Sequence, residues 1–326
     1  SLAALWLVAF SSATHDIAAD GFYILALNDH EQAWFVGVRN TFFRLAMISG
    51  QGLLVMVAGY LESETNNLQL AWTIAFYLLA AVFVMLFAWH RRVLPRPDAD
   101  RAGEVQTAGA LFEKFVDTFV SFFKKQRIGI VLAFLLLYRI AEAQLTKLAP
   151  PFLLDDPALG GLGLSTADVG FVYGTAGALM LTLGGLCGGF LAARDGLKHW
   201  IWWMVVAINL PNAVYILLAY LQPQSLLPVV LAVGVEQFGY GLGFAAYTLY
   251  MLYISKGAHS TAHFAICTGF MALGMMLPGM VSGWIQEALG YQHFFIWVLL
   301  VTIPSFAVVA LIPLDADFGR DKSDVT

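Results

Sequence analysis

Acidic and basic side chains occur inside two of the most apolar stretches of the sequence, where ionised groups are costly. The first stretch contains SSATHDIAADGF, with His15, Asp16 and Asp20 close together. Asp16 and Asp20 are four residues apart, so both would lie on one face of a helix. Arg39 and Arg44 follow in the next apolar stretch. A carboxylate that can lose its arginine partner is a candidate proton carrier, because that loss raises its pKa.

The positions of these charges predict two ion pairs across a helical hairpin. Asp20 and Arg39 are about equally far from the intervening turn NDHE, roughly 10 Å at 1.5 Å per residue. Asp16 and Arg44 match in the same way at roughly 16–18 Å. Each pair has two interpretations, a structural lock between helices or part of a transport site. His15 is either a hydrogen-bonded core histidine or a group that titrates near physiological pH.

A second set of polar residues occurs in the later apolar stretches. Arg139 and Glu142 are three residues apart in LYRIAEA, and Glu236, Gln237 and Tyr240 occur in VEQFGYGLG. A water-filled cavity, a proton-binding role or a cross-helix pair with Arg139 would each explain Glu236. Charged groups at such depths usually face a cavity or a partner.

The composition indicates that the solvent around these charges is largely lipid. The chain is 60% hydrophobic and 12% charged, with a mean hydropathy of +0.74. Soluble domains carry roughly 25% charged residues. The two cysteines, Cys187 and Cys267, fall in apolar segments, so neither a disulfide framework nor a metal motif is expected. The sequence also lacks a nucleophile elbow and a phosphate loop. We therefore expect no enzyme, no cofactor and no nucleic-acid partner.

Hydropathy with breaks at polar clusters predicts an all-α polytopic membrane protein. The connections are short except for 91–127, whose segment LFEKFVDTFVSFFKK has the apolar spacing of an amphipathic helix lying on the membrane surface. The predicted spans are 1–27, 32–61, 70–90, 128–154, 166–193, 199–221, 226–254, 261–286 and 293–313.

The distribution of basic residues predicts the orientation. Arg39, Arg44, Arg139 and Lys147 lie inside predicted spans, and the remaining thirteen of the 17 lysines and arginines all fall on alternate connections. The positive-inside rule places those connections, the long loop and the C-terminus in the cytoplasm. We expect a multi-pass membrane protein.

The span count predicts the domain organisation. Three spans precede the long loop and six follow it, as in a transporter of two six-helix halves whose first three helices are missing. We therefore expect a fragment with nine of twelve helices. The predicted parts are a remainder of the N-terminal half (1–90), a cytoplasmic linker (91–127), a C-terminal half (128–314) and a cytoplasmic tail (315–326).

The sequence GGFLAARDGLKHW contains a loop pattern formed by Gly189, Arg194, Asp195, Gly196 and Lys198. It resembles the conformational loop motif of the major facilitator superfamily, although the Arg–Asp order reverses the commonest form. An ordinary basic turn is the alternative interpretation.

Several longer segments resemble AmpG-type muropeptide permeases of that superfamily: SATHDIAADGF, FFRLAMISGQ, LYRIAEA, VEQFGYGLG and STAHFAICTGFMALG. The resemblance implies a major facilitator fold and proton-driven import of anhydro-muropeptides for cell-wall recycling. It matches Asp16 and Asp20 to the family's paired acids and Arg44 to its arginine. Arg139 and Glu142 stand where the family pattern has Lys and Asp, and Glu236 matches a further acid. His15 stands where the pattern has Gln.

We therefore predict a monomeric, proton-coupled transporter of a muropeptide-like solute, with protons and the bilayer as its other partners. The predicted proton-coupling residues are Asp16, Glu142 and Glu236. Residues predicted to bind substrate or pair charges are His15, Asp20, Arg39, Arg44, Arg139, Gln237 and Tyr240. Two alternatives stay open, a transporter of another solute (acyl-CoA, sugar, peptide or drug) and a non-transporting receptor or scaffold.

Overall fold

The computed structural model describes residues 2–48, 50, 54–95, 97 and 107–320. These residues form helices and connections, and none of them lies in a β-strand. Residues 98–106 of the predicted linker and 321–326 of the predicted tail lie outside the described part. The first five helices are α1 (Leu2–Ala26), α2 (Asp29–Ile48), α3 (Leu54–Thr65), α4 (Leu68–Val93) and α5 (Ala108–Phe123).

The later helices include several that are interrupted and resume along the same span. A π-helix (Gly170–Gly177) joins α8 to α9, a 3₁₀ turn (Leu210–Asn212) joins α10 to α11, and another 3₁₀ turn covers Pro157–Leu159. These helices are α6 (Ile128–Leu137), α7 (Ile140–Leu154), α8 (Thr166–Val169), α9 (Ala178–Asp195), α10 (Leu197–Asn209), α11 (Ala213–Leu221), α12 (Leu226–Ser255), α13 (Ser260–Leu300) and α14 (Ile303–Leu311).

Within the described residues, seven helical segments are long and apolar enough to cross a membrane. This confirms an all-helical, polytopic architecture, whereas the assignment of nine spans out of a set of twelve stays a prediction. The last two predicted spans, 261–286 and 293–313, correspond to one candidate segment, Ser260–Leu311. Gly290 interrupts the helix between them with a backbone φ of 69°, close to the predicted break.

The chain divides into two compact units, Ser1–Val38 with Gly103–Thr326, and Arg39–Ala102. In the second unit α3 packs against α4. Helix α4 begins where the Asn67 side chain accepts a hydrogen bond from the Leu70 amide, and its last turn contains His90, Arg91 and Arg92. Cations at a helix C-terminus are favoured by the helix dipole.

The first unit contains two buried apolar clusters. One includes Tyr138, Tyr240 and Tyr247, and the other includes Phe152, Tyr215 and Phe295. Arg139, Glu142 and Glu236 belong to neither cluster, although all three are buried. The polar residues of this unit therefore interrupt an otherwise apolar interior.

The break between α6 and α7 is stabilised by side chains that bond to the last carbonyls of α6. A helix end leaves backbone groups without intrahelical partners, which is costly where water is excluded. The Tyr247 hydroxyl donates to the Leu135 carbonyl at 2.6 Å, and Ser305 Oγ donates to the Leu137 carbonyl at 3.1 Å. The α12 and α14 side chains thus allow the chain to leave helical geometry at Arg139.

Helices α9, α10 and α12 pack at backbone distance because glycines line their contacts. A side chain at Gly239 would overlap the Ala207 carbonyl of α10, and one at Gly241 would overlap the Leu181 carbonyl of α9. Small residues permit this close approach of helices in membranes. The contact fixes the position of α12, which carries Glu236.

The predicted amphipathic helix is present as α5, and it packs against α13. Phe122, near the end of the helix, is fully buried, whereas Phe112 and Phe115, nearer its start, are exposed. Ser121 Oγ lies 2.9 Å from Nε2 of His263. Just after the helix, Lys125 Nζ donates to the Lys256 carbonyl at 2.9 Å, and partial burial lowers the pKa of the Lys125 ammonium.

Candidate functional site

Arg139 occupies the break between α6 and α7, and its guanidinium lies among three aromatic rings of α12. It donates a hydrogen bond to the Tyr240 hydroxyl. The guanidinium carbon lies 4.8 Å from the centroid of the Phe244 ring, 5.2 Å from that of Tyr240 and 5.8 Å from that of Tyr247. Cation–π attraction of this kind strengthens when the cation is removed from water. The aromatic side chains therefore hold a buried positive charge in a defined orientation.

Glu142 lies in the first turn of α7 and is only 1% exposed. A carboxylate in the first turn of a helix is favoured by the helix dipole. Arg139 precedes it by three residues, which places the opposite charges at the same end of α7. Glu142 also interacts electrostatically with the hydroxyl groups of Tyr173 and Tyr215.

Glu236 lies in the middle of α12, is 2% exposed, and is the acceptor of a short hydrogen-bonded chain. Its Oε2 accepts from Gln237 Nε2 at 2.9 Å and from the Tyr215 hydroxyl at 3.4 Å. The Tyr215 hydroxyl is in turn hydrogen-bonded to that of Tyr173. The polar groups of three separate elements, the π-helix, α11 and α12, therefore converge on one carboxylate.

Three of the side chains around these acids lie at or next to an irregular piece of helix. Arg139 is in a helix break, Tyr173 is in the π-helix, and Tyr215 follows the 3₁₀ turn that contains Pro211. π-Helical segments are frequent at functional sites, and transporters form binding sites from discontinuous helices. We therefore designate Arg139, Glu142, Tyr173, Tyr215, Glu236, Gln237 and Tyr240 the polar cluster.

The structure brings together the later set of predicted residues. Arg139, Glu142, Glu236, Gln237 and Tyr240 are all buried in one unit. The hydrogen bond from Arg139 to Tyr240 accounts for the guanidinium orientation, whereas a pair of Arg139 with Glu236 stays a prediction.

The earlier set is distributed over both units. Asp20 is buried, whereas His15 and Asp16 are exposed on the same helix, α1. Arg39 and Arg44 are partly buried and lie in the second unit. The pairs Asp20–Arg39 and Asp16–Arg44 stay predictions.

Tyr173 and Tyr215 were not among the residues predicted from the sequence. Neither carries a formal charge, and tyrosine is common in membrane helices, so neither produced a signal against the apolar background. The one available sign was Pro211, which marks a helix irregularity close to Tyr215.

The predicted loop motif forms a tight turn between α9 and α10. Gly196 has a φ of 87°, a conformation that favours glycine. Asp195 pairs with Arg194 at 2.7 Å and accepts a hydrogen bond from Trp200 Nε1 at 2.8 Å. Lys198 is exposed. Asp195 thus connects the end of α9 with the start of α10 across the turn.

Next to this turn, the start of α2 packs closely on α9. A side chain at Gly189 would approach the Ala33 carbonyl to 3.0 Å. Nδ1 of His30 lies 3.1 Å from the Ala193 carbonyl and 3.3 Å from that of Gly319. We call this packing of α2 on α9 and on the chain after α14 the end contact.

An ion pair adjoins the end contact. Lys256 Nζ lies 2.5 Å from Asp29 and 4.5 Å from the centroid of the Phe318 ring. Both charged side chains are about half exposed. The pair connects the start of α2 with the end of α12.

Among the residues that the structure describes, no three His, Cys, Asp or Glu side chains are grouped so that they could hold a metal ion.

Comparison with known proteins gives similarity along nearly the whole chain, although no family model matches it. The chain is 25% identical over 313 residues to the anhydromuropeptide permease of Escherichia coli strain K12, covering 96% of this chain and 60% of that permease. It is 25% identical over 310 residues to the putative transporter AmpG 2 of Rickettsia typhi, covering 95% of this chain and 70% of that protein. The resemblance to AmpG-type permeases is confirmed.

A protein of Haemophilus influenzae named only as uncharacterized is 28% identical over 333 residues, covering 97% of this chain and 73% of its own length. The AmpG-type relatives and the seven apolar helical segments together support a multi-pass membrane transporter. The polar cluster is thus a candidate transport site of an AmpG-like protein.

Proposed function

We propose that the protein is a proton-coupled secondary transporter of the bacterial inner membrane that imports anhydro-muropeptides. The single observation that carries the proposal is the burial of Glu142 and Glu236 beside a restrained arginine in the polar cluster. Ionisable residues buried among membrane helices are costly, and such residues commonly mark substrate or proton pathways. The E. coli relative is named as an anhydromuropeptide permease, and that name supplies the solute class.

Arg139 is suited to bind an anionic group of the solute. Its guanidinium is always charged and can contact a carboxylate through two parallel hydrogen bonds. The contact with Tyr240 uses one side of the guanidinium. Anhydro-muropeptides carry carboxylates, amides and sugar hydroxyls, which Arg139, Gln237 and Tyr240 can bind.

Glu142 and Glu236 are the proposed proton carriers in this unit. A buried carboxylate prefers its neutral form unless a charge or donor compensates it. Binding of an anionic solute near Arg139 would withdraw compensating positive charge from the acids. Proton uptake and solute binding would then favour each other, which is the basis of symport.

We further propose that Asp16 is a proton carrier and that Asp20, Arg39 and Arg44 bind solute or pair charges. His15 would contact the solute near these charges. Alternating access would proceed by rocking of two halves about the site, with the basic loop and the C-terminus in the cytoplasm.

The proposal is tested by uptake of labelled anhydro-muropeptide into cells that lack their own permease and express the complete gene product. We expect accumulation that a protonophore abolishes. Accumulation that persists with the protonophore would exclude proton coupling. If the cells take up no anhydro-muropeptide but do take up an acyl-CoA, sugar, peptide or drug, the protein transports that other solute.

A further inference from the structure

The hydroxyl groups of Tyr173 and Tyr215 form a chain of hydrogen bonds that ends on Glu236. A phenol can donate one hydrogen bond while it accepts another. If Tyr215 donates to the ionised Glu236, its oxygen is the acceptor for the Tyr173 hydroxyl. The chain therefore has one direction, from Tyr173 through Tyr215 to the carboxylate.

The burial of the three groups changes along this chain. Tyr173 is partly exposed, whereas Tyr215 and Glu236 are buried. The Tyr215 ring packs against Phe295 and Phe152, with ring centroids 5.3 Å and 6.4 Å away. These rings restrict the Tyr215 phenol to the position in which it reaches Glu236. The chain thus leads from a partly exposed residue to a buried acid.

The positions along the helices place both phenols on the same side of Glu236 and at similar depths. Tyr173 is seven residues from Thr166, about 10 Å at 1.5 Å per residue, and Tyr215 is six residues from Leu221, about 9 Å. Glu236 is ten residues from the start of α12, about 15 Å. These helix ends lie at one end of the bundle, where Gln222 Nε2 contacts the Gly160 carbonyl at 3.3 Å. Both phenols therefore lie between that end and Glu236.

We propose that Tyr173 and Tyr215 are the entry relay that delivers protons to Glu236 from the outer side of the membrane. The inference rests on the proposed function, because it assumes that Glu236 is protonated during transport. The relay gives a role to Tyr173 and Tyr215, which the pattern of charged residues in the sequence did not indicate.

The relay is a concerted transfer along existing hydrogen bonds. A proton from outer-side water binds the Tyr173 oxygen while the original Tyr173 proton moves to the Tyr215 oxygen. The original Tyr215 proton moves to Oε2 of Glu236. Each phenol loses one O–H bond and gains another, so both remain neutral. The carboxylate becomes a carboxylic acid and the water loses its extra proton.

Other ionisable groups act on the relay from the neighbouring elements. Glu142 of α7 interacts electrostatically with both phenols. Arg139 lies at the start of α7, and Tyr240 lies one turn beyond Glu236 on α12. Each of these groups remains unchanged in the test variants, so their contribution is constant across the comparison.

The test is a pH jump on the complete gene product in lipid nanodiscs, followed by time-resolved infrared detection of the protonated Glu236 carboxyl. The band is assigned by its loss in Glu236→Gln. The variants are Tyr215→Phe and Tyr173→Phe, which keep the aromatic ring. Tyr220→Phe, on the same helix α11 but exposed, is the matched control. The melting temperature of each variant establishes that it is folded.

We expect the protonation rate of Glu236 to fall about 100-fold in both relay variants, the lower end of what a positioned proton-transfer group contributes. The control should retain the wild-type rate. Wild-type rates in folded Tyr215→Phe and Tyr173→Phe would overturn the relay and leave the proposed function intact. A wild-type protein whose Glu236 never becomes protonated would overturn both the relay and the proposed role of Glu236.

Discussion

The guanidinium of Arg139 lies 4.8 Å from the centroid of the Phe244 ring, and it donates a hydrogen bond to the Tyr240 hydroxyl. Arg139 occupies a break between two helices, and its aromatic partners all come from α12. The charge is therefore held by contacts that require both a planar cation and a helix discontinuity. A flexible, snorkelling cation would need neither feature.

We predict that Arg139→Lys and Arg139→Gln both impair uptake, although lysine retains the charge. The ammonium group cannot reproduce the planar stacking or the paired hydrogen bonds of a guanidinium. Removing a buried partner costs about 1–3 kcal/mol, which is about a 5- to 150-fold loss of solute affinity. The measurement is the concentration dependence of muropeptide uptake. Unchanged uptake in Arg139→Lys would show that charge alone suffices.

Gly37→Ala should destabilise the end contact. The added methyl group would overlap the Gly185 carbonyl and the Leu186 backbone of α9. Overpacking of this kind costs about 1–3 kcal/mol, so we expect a lower melting temperature in detergent. Gly283→Ala is the control, because its methyl group would enter open space. Replacing glycine within a helix there should be neutral or stabilising by about 0.5–1 kcal/mol. Equal melting temperatures for both variants would contradict the packing described here.

The ion pair of Asp29 with Lys256 should contribute modestly to the stability of the folded protein. Half-exposed pairs contribute about 0.2–1 kcal/mol, and salt screens them. Lys256→Gln should cost about 0.5–1 kcal/mol more than Asp29→Asn, because it also removes the cation from the Phe318 ring. Melting temperatures of both single variants and the double variant, at low and high salt, measure the coupling. Fully additive effects would exclude an interaction between the two charges.

The long regular helices were predictable from hydropathy, whereas the local interruptions were not. The span predicted at 226–254 is observed as Leu226–Ser255, because lipid requires a helix there and polar clusters mark its ends. The span predicted at 128–154 is two helices separated at Arg139. That break depends on Tyr247 and Ser305 reaching the freed carbonyls, and such distant contacts leave no local pattern in the sequence.

The candidate site was predictable only where it carries charge. Glu142 and Glu236 stand out because ionisable groups are rare in apolar segments. Tyr215 and Tyr173 act through position, which depends on the π-helix and on the packing of α11. Their convergence on Glu236 is a tertiary relationship that residue type and spacing do not encode.

We predict that Asp16→Asn reduces gradient-driven muropeptide uptake. The carboxylate of Asp16 can bind and release a proton, whereas the asparagine amide cannot. The expected loss is at least about tenfold, below the usual effect of removing a proton-transfer group. The conservative variant Asp16→Glu should retain part of the activity. Undiminished, gradient-dependent uptake in Asp16→Asn would exclude Asp16 as a proton site.

The central claim is that Glu236 couples proton movement to solute movement, and Glu236→Gln in reconstituted vesicles tests it most directly. The measurement compares uptake driven by an imposed inward proton gradient with exchange of labelled for unlabelled muropeptide at equal pH. We predict that Glu236→Gln retains exchange within about twofold and loses gradient-driven accumulation about 100-fold, as expected for loss of a proton-transfer group. Gradient-driven accumulation equal to the wild type in Glu236→Gln would contradict the claim.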